Sequence, residues 1–240
     1  MEEAYQEKIE EASEKAVEEV AGKVAIVIDD LGHSLVIVEK LMKLDAPLAF
    51  SILPGLRFSK LIASRANTSN HDVMLHLPME PKNYPDKNPG PGALISNMNS
   101  DELEKLLLED LDAIPYITGT NNHMGSKLTE DKKIMQLVMS KIKKRDLFFL
   151  DSRTSSNTIA YRIAKEYGIK AAIRNVFLDN EDDLEIISQQ IIKLGEVAIK
   201  KGSAIGIGHP GKNTLIALQN TIPKLKERGI KIVPVSQLVN

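Results

Sequence analysis

The sequence predicts a single parallel-stranded α/β domain, most simply a (β/α) barrel or a distorted relative of one. Three observations predict it. Short apolar, β-branched runs alternate with amphipathic helical segments along the chain. No change of composition marks a domain boundary, and no sequence repeat of fixed period is visible. Asp, His and Glu residues recur just past the apolar runs, where parallel α/β folds gather their chemistry. A doubly wound open sheet is the alternative arrangement of the same elements.

The elements follow in order. Residues 1–22 are dense in Glu and Lys, and read as a charged N-terminal helix or as the linker from an absent membrane anchor. The barrel domain is assigned to 23–240. Val24-Ala25-Ile26-Val27-Ile28 is a buried strand that ends in Asp29-Asp30-Leu31-Gly32-His33. Ser34 is placed to cap a helix with Leu35, Val38, Leu41 and Met42 on its inner face. Pro47–Leu53 forms a second strand, and Leu56, Leu61, Ile62 and Ala66 mark the next helix. A third strand, Val73–Leu77, carries His76 and runs into Pro78-Met79-Glu80-Pro81 and a Pro- and Gly-rich loop through Gly92. Loops of that length in a compact domain usually serve binding.

Asn99 and Glu102 form a capping box ahead of Leu103, Leu106, Leu107 and Leu111. A weak strand, Ile114–Thr120, is interrupted by Pro115 and leads into Asn121-Asn122-His123-Met124-Gly125-Ser126. Thr129 is placed to cap the helix bearing Ile134, Leu137, Val138 and Ile142. The strand Leu147–Leu150 ends in Asp151-Ser152-Arg153, and the next helix is stopped by Gly168. Lys170–Ile173 is a strand, and Leu184–Ala198 a long helix. Ala204–Gly208 is a Gly-rich strand ending in His209-Pro210-Gly211. The last helix contains Pro223, which should kink or split it, and Lys231–Val235 is the final strand.

Composition excludes several functions. A formal charge of −2 over 240 residues argues against a nucleic-acid binder held by phosphate contacts. The absence of Trp disfavours a broad stacking platform. The absence of Cys removes disulfides, thiolate nucleophiles and Cys-based zinc sites. No stretch is apolar enough to span a bilayer.

The residues past the strands therefore carry the functional argument: Asp29 and Asp30, His76 with Glu80, His123, Asp151 with Arg153, and His209. In a parallel barrel these ends converge on one face. One Asp with two neutral imidazoles suits Zn²⁺ with an open coordination position. His71, ahead of its strand, belongs at the opposite end, and His33 is expected to face the first helix. Glu80 is read as a rim or supporting charge, and Arg153 as a partner for a site carboxylate or for substrate.

The ordered set Ile28-Asp29-Asp30-Leu31-Gly32, His76-Leu77-Pro78-Met79-Glu80, Asn122-His123-Met124-Gly125-Ser126, Leu150-Asp151-Ser152-Arg153 and Gly208-His209-Pro210 resembles the divergent polysaccharide deacetylases. These are distant relatives of the deacetylases of carbohydrate esterase family 4 (CE4). The resemblance covers roughly residues 23–240. It implies a distorted single-domain (β/α) barrel and metal-dependent removal of acetyl groups from N-acetylated sugars of a polysaccharide or cell-wall glycan. It implies Asp29 as catalytic base, Asp30 as a metal ligand and His209 as catalytic acid. The parent family's second histidine, in a His-x-x-x-His run, falls at Glu80, so His123 is the candidate third ligand beside Asp30 and His76. The parent's Arg-x-Pro motif is missing, and Arg153 is its candidate substitute. Zn²⁺ is the expected cofactor, with another divalent metal as the alternative, and an acetylated glycan the expected partner. An extracytoplasmic, periplasmic location follows from the same resemblance. A catalytically weak glycan-binding or scaffolding module of the cell envelope is the rival reading, and another metallohydrolase a third.

Overall fold

The computed structural model describes residues 20–240, so the charged segment expected over 1–22 lies almost wholly outside the described residues. Among the described residues nine parallel strands form one curled sheet with helices packed outside it. In chain order the strands are β1 (Gly22–Leu31), β2 (Ala49–Ile52), β3 (Asp72–Met79), β4 (Gly119–Met124), β5 (Phe148–Asp151), β6 (Ala171–Ile173), β7 (Val176–Phe177), β8 (Ser203–Gly208) and β9 (Ile230–Ile232). The helices are α1 (Val36–Leu41), α2 (Ser59–Thr68), α3 (Ser100–Ala113), α4 (Lys132–Lys144), α5 (Ala160–Glu166), α6 (Leu184–Lys201) and α7 (Lys212–Glu227).

The spatial order is β6-β5-β4-β3-β2-β1-β8-β7, with β9 paired to the start of β1. β6 and β7 are the two ends of this row, yet only Arg174 and Asn175 separate them in the chain. The segment pairs with β5 first and with β8 afterwards. No ladder joins β6 to β7, so the cylinder is closed by the chain crossing its own seam. This is the distorted barrel that the sequence predicts.

Side chains alternate between the two faces of the sheet. Outward residues such as Ile26, Ile28, Phe50, Leu75 and Phe149 are fully buried against the helices. Inward residues Ala25, Val27, Ala49, Met74, Leu150, Ile205 and Ile207 fill the barrel. Val235, Leu238 and Val239, around a short 3-10 turn at Val235–Gln237, pack against this filling from below. Two residues further along the strands the inward positions turn polar: Asp29 after Val27, Ser51 after Ala49, His76 after Met74, His209 after Ile207.

Several sequence expectations need correction. β4 begins at Gly119 rather than near Ile114, because Pro115 and the left-handed Tyr116 (φ 64°) keep the preceding residues out of the ladder. Asn121, Asn122 and His123 consequently lie within the strand. Asp131, not Thr129, caps α4 by accepting from Ile134 N at 3.0 Å. Leu35 occupies the cap position of α1, although Ser34 Oγ accepts from Val36 N at 3.4 Å. Helix α7 runs unbroken past Pro223. The capping box at Asn99 and Glu102 is formed with both reciprocal bonds.

Candidate active site

Adjacent residues of a strand normally point to opposite faces, so Asp29 and Asp30 need a local device to share one site. A β-bulge supplies it. Ile28 pairs with Phe50 and Leu31 with Ile52, so β1 spends one residue more than β2 over this stretch. Asp30 is the residue in the left-handed region, at φ 57°. Ile28 and Leu31 both remain on the helix-facing side, and the two carboxylates are left on the barrel side. Non-glycine residues held in that region cluster at functional sites.

Asp30, His76 and His123 form the one group among the described residues with the donor set for a metal ion. Asp30 Oδ1 lies 3.1 Å from His76 Nε2 and 2.8 Å from His123 Nδ1. The two ring nitrogens are 3.1 Å apart. One ion with ligand bonds of about 2.0–2.2 Å spans such a triangle. Asp30 Oδ1 is buried and makes no hydrogen bond of good geometry, although both ring nitrogens lie close to it. Burial pushes the Asp30 carboxyl up. The adjoining His123 and His76 rings more than reverse this and hold it well below the usual carboxylate range. The His76 ring is likewise pulled down by burial but raised, on balance, by the charges of Asp29 and Asp30. Three acceptors converging without a proton between them would repel, so the donor set fits a divalent cation.

The two proton-transfer candidates flank this triangle. Asp29 is buried, with Oδ2 3.6 Å from His76 Nε2. His209 Nε2 lies 3.7 Å from Asp30 Oδ2. The far side of the His209 ring is held by Asp179, whose Oδ1 is 3.0 Å from Nδ1 and whose Oδ2 accepts from His209 N at 2.6 Å. Burial lowers the imidazole pKa, but the Asp179 carboxylate, aided by Asp30 and Asp29, carries it up to about 9.

The other sequence candidates sit elsewhere. Glu80 is buried just past the end of β3, accepting from Ser96 N at 2.5 Å and from Lys127 Nζ at 2.7 Å; it fastens the long loop and offers nothing to the triangle. Burial raises its pKa and the Lys127 and Ser96 donors lower it further, so it remains an anion. Asp151 accepts from Arg153 N, Thr158 Oγ1 and Tyr161 N at 2.9, 2.9 and 3.2 Å, opening α5. Asp151 is outward by strand parity, following the inward Leu150. Arg153 has an exposed side chain, and its carbonyl accepts from Arg174. His71 is at the opposite end, bonded to Leu48 N and Met42 O. His33 is exposed and, contrary to expectation, lines a groove with Asp30 and His123.

That groove, about 340 Å³, is walled by Leu53, Pro54 and Leu56 on one side and Asn88–Pro91 on the other. The long loop therefore borders the candidate site. A larger cavity of about 960 Å³ lies beside His71 and Lys226 at the other end of the barrel and contains none of the candidate residues.

A model of the divergent polysaccharide deacetylases matches residues 26–239. The chain belongs to that family. It is similar to the Escherichia coli K12 protein YibQ, 37% identical over 223 residues that make up 92% of this chain and 68% of YibQ. Among solved structures it is similar to the Agrobacterium tumefaciens C58 protein ATU2773, with 29% identity, a TM-score of 0.86 and coverage of 91% of this chain and 89% of that one. A CE4 family pseudoenzyme from Bacillus anthracis, at 15% identity, a TM-score of 0.55 and coverage of 90% and 65%, shares the fold.

Three residues of this family member escape the sequence reading. Asp179 obeys the rule that located the other candidates, being the first polar residue after an apolar run, but Val176–Phe177 is too short to read as a strand. Asn121 has the same parity as His123, and becomes visible only once β4 is seen to extend that far. Arg174, at the seam, donates to Ser152 O and Arg153 O at 2.7 and 3.2 Å and lies over the Phe177 ring. Nothing in a strand-and-helix reading marks it.

Proposed function

We propose that this protein is a zinc-dependent amide hydrolase that removes acetyl groups from N-acetylated sugars of an envelope glycan. The observation that carries the reading is that a carboxylate and an Asp-held imidazole each come within 4 Å of the same three-ligand group, at 3.6 and 3.7 Å. A divalent cation held by Asp30, His76 and His123 supplies Lewis-acid activation of the amide carbonyl and of the attacking water.

Asp29 accepts the proton that water loses as its oxygen bonds to the acetyl carbon. His209 donates a proton to the sugar nitrogen as the C–N bond breaks, so the leaving group departs as a neutral amine and acetate is released. Asp179 keeps the His209 ring turned toward the site and protonated at neutral pH. The groove between Leu53–Leu56 and the long loop presents a short wall of prolines to the sugar. A glycan substrate of this kind places the protein outside the cytoplasm, and cell fractionation tests that. Among the described residues no helix is long and apolar enough to cross a membrane.

The test is acetate release from acetylated chito-oligosaccharides and from peptidoglycan fragments with Zn²⁺ supplied. Acetate should appear with wild type and not with Asp29→Asn. Binding of these glycans without turnover, unchanged in Asp29→Asn, would leave a glycan-binding module as the function.

A further inference from the structure

We infer that Asn121 is a positioning residue that sets the metal-binding face of His76 and the orientation of Asp29 through one side-chain amide. The inference rests on the metal-site reading above. Asn121 is fully buried and directly opposite His76 in the β3–β4 ladder. Its Oδ1 lies 2.7 Å from His76 Nδ1 and accepts from Ser51 Oγ at 2.6 Å. Its Nδ2 donates to Asp29 Oδ1 at 2.9 Å.

An amide has one accepting and one donating end, and both are committed here. The Asp29 carboxylate fixes which end is which, because when ionised it can only accept, and the Ser51 hydroxyl then donates to the remaining oxygen. The oxygen is therefore presented to His76 Nδ1, and that nitrogen must carry a proton. Nε2 is left with its lone pair, and Nε2 is the atom 3.1 Å from Asp30 Oδ1. A hydrogen bond to the far nitrogen of a metal-ligating imidazole fixes both its tautomer and its ring angle. The same amide thus ties one ligand of the metal to the candidate base, so neither ring nor carboxylate can rotate alone.

The experiment compares wild type, Asn121→Leu and Asn121→Asp. Zn²⁺ affinity is measured by competition with a chelator, and His76 by long-range ¹H–¹⁵N spectra of the zinc-loaded protein. Wild type should show Nε2 ligation with a retained, slowly exchanging Nδ1–H. Asn121→Leu, close in volume but unable to accept, should lose about 10- to 100-fold in Zn²⁺ affinity and lose the slow Nδ1–H signal. Asn121→Asp keeps the acceptor for His76 and should hold zinc within about threefold of wild type, with the Nδ1–H retained. Asn121→Leu with unchanged zinc affinity and an unmoved Nδ1–H overturns the inference. Should that variant not fold, a tenfold loss of zinc in Asn121→Asp overturns it instead. Zinc-loaded wild type that releases no acetate counts against the hydrolase and leaves the Asn121 result standing.

Discussion

His209 and Asp110 show how two buried or half-buried titratable groups can serve opposite ends. His209 is held by a carboxylate and so keeps its proton to about pH 9. Were it the general acid of the proposed reaction, it would set the alkaline limb of kcat/KM, which should fall at or below about pH 9, since a bound cation repels the imidazolium and moves the limb lower. His209→Gln should lower turnover by about 10²- to 10⁴-fold with zinc content unchanged by metal analysis; loss of zinc would make His209 a ligand. Asp110, by contrast, is a carboxyl on α3 with Oδ2 buried and unpaired beneath Gly92. Burial, with Glu109 alongside, pushes its pKa up to about 8. The folded state therefore binds a proton that the unfolded chain releases near pH 4, and stability falls as pH rises from about 4 through about 8. Asp110→Asn should remove that slope, so its thermal midpoint should exceed that of wild type at pH 8 and approach it at pH 4.5. Sequence alone reveals the carboxylates and imidazoles at the strand ends. It does not reveal which carboxylate faces which ring: Asp151 ends a legible strand, whereas Asp179 follows a run too short to read as one, and only the β7–β8 pairing makes Asp179 the partner of His209.

At the scale of elements, the loop from Pro81 to Met98 is anchored at both ends and free in the middle. Glu80 binds Ser96 and Lys127, Leu94 exchanges backbone bonds with Pro78 and Glu80, and Lys82 N is bonded to Ser126 Oγ. The segment between, including Asn88–Pro91, forms one wall of the groove. Shortening it between Asn83 and Pro89 should raise KM for glycan and leave the melting temperature nearly unchanged; the converse would assign it a purely structural role. Gly92→Ala belongs to the anchored part. At φ 78° an added Cβ would sit 2.4 Å from Asp110 Oδ1, so this variant should lose stability. Element by element, the long amphipathic helices and the buried β-branched strands were legible because their periodicity is strong. β4 was displaced by several residues because its inward face is polar: Asn121 and His123 replace the apolar alternation by which a strand is recognised. The polar residues of the candidate site interrupt the pattern there.

The whole molecule is a barrel filled from below by apolar residues and lined above by polar ones. Its parallel barrel class could be read from the alternation of elements, whereas the way the barrel closes could not, because β6 and β7 are too short to announce two separate pairings. Cations should couple the upper half to global stability: if Asp30, His76 and His123 hold zinc, saturating Zn²⁺ should raise the thermal midpoint of wild type and leave that of His123→Ala unmoved, whereas His71→Ala should respond like wild type. The seam at Arg174-Asn175 has a separate implication. Every hydrogen-bonded ladder of the sheet lies wholly to one side of it or joins β1 to β8 and β9. A backbone cleaved there would lose no strand pairing at all. Two separately expressed pieces, ending at Arg174 and beginning at Asn175, should find each other through the six-residue β1–β8 register and rebuild the cylinder. The candidate base and all three candidate ligands would come from the first piece, and the candidate acid with its aspartate from the second, so that neither half would hold the whole candidate site until the two had met.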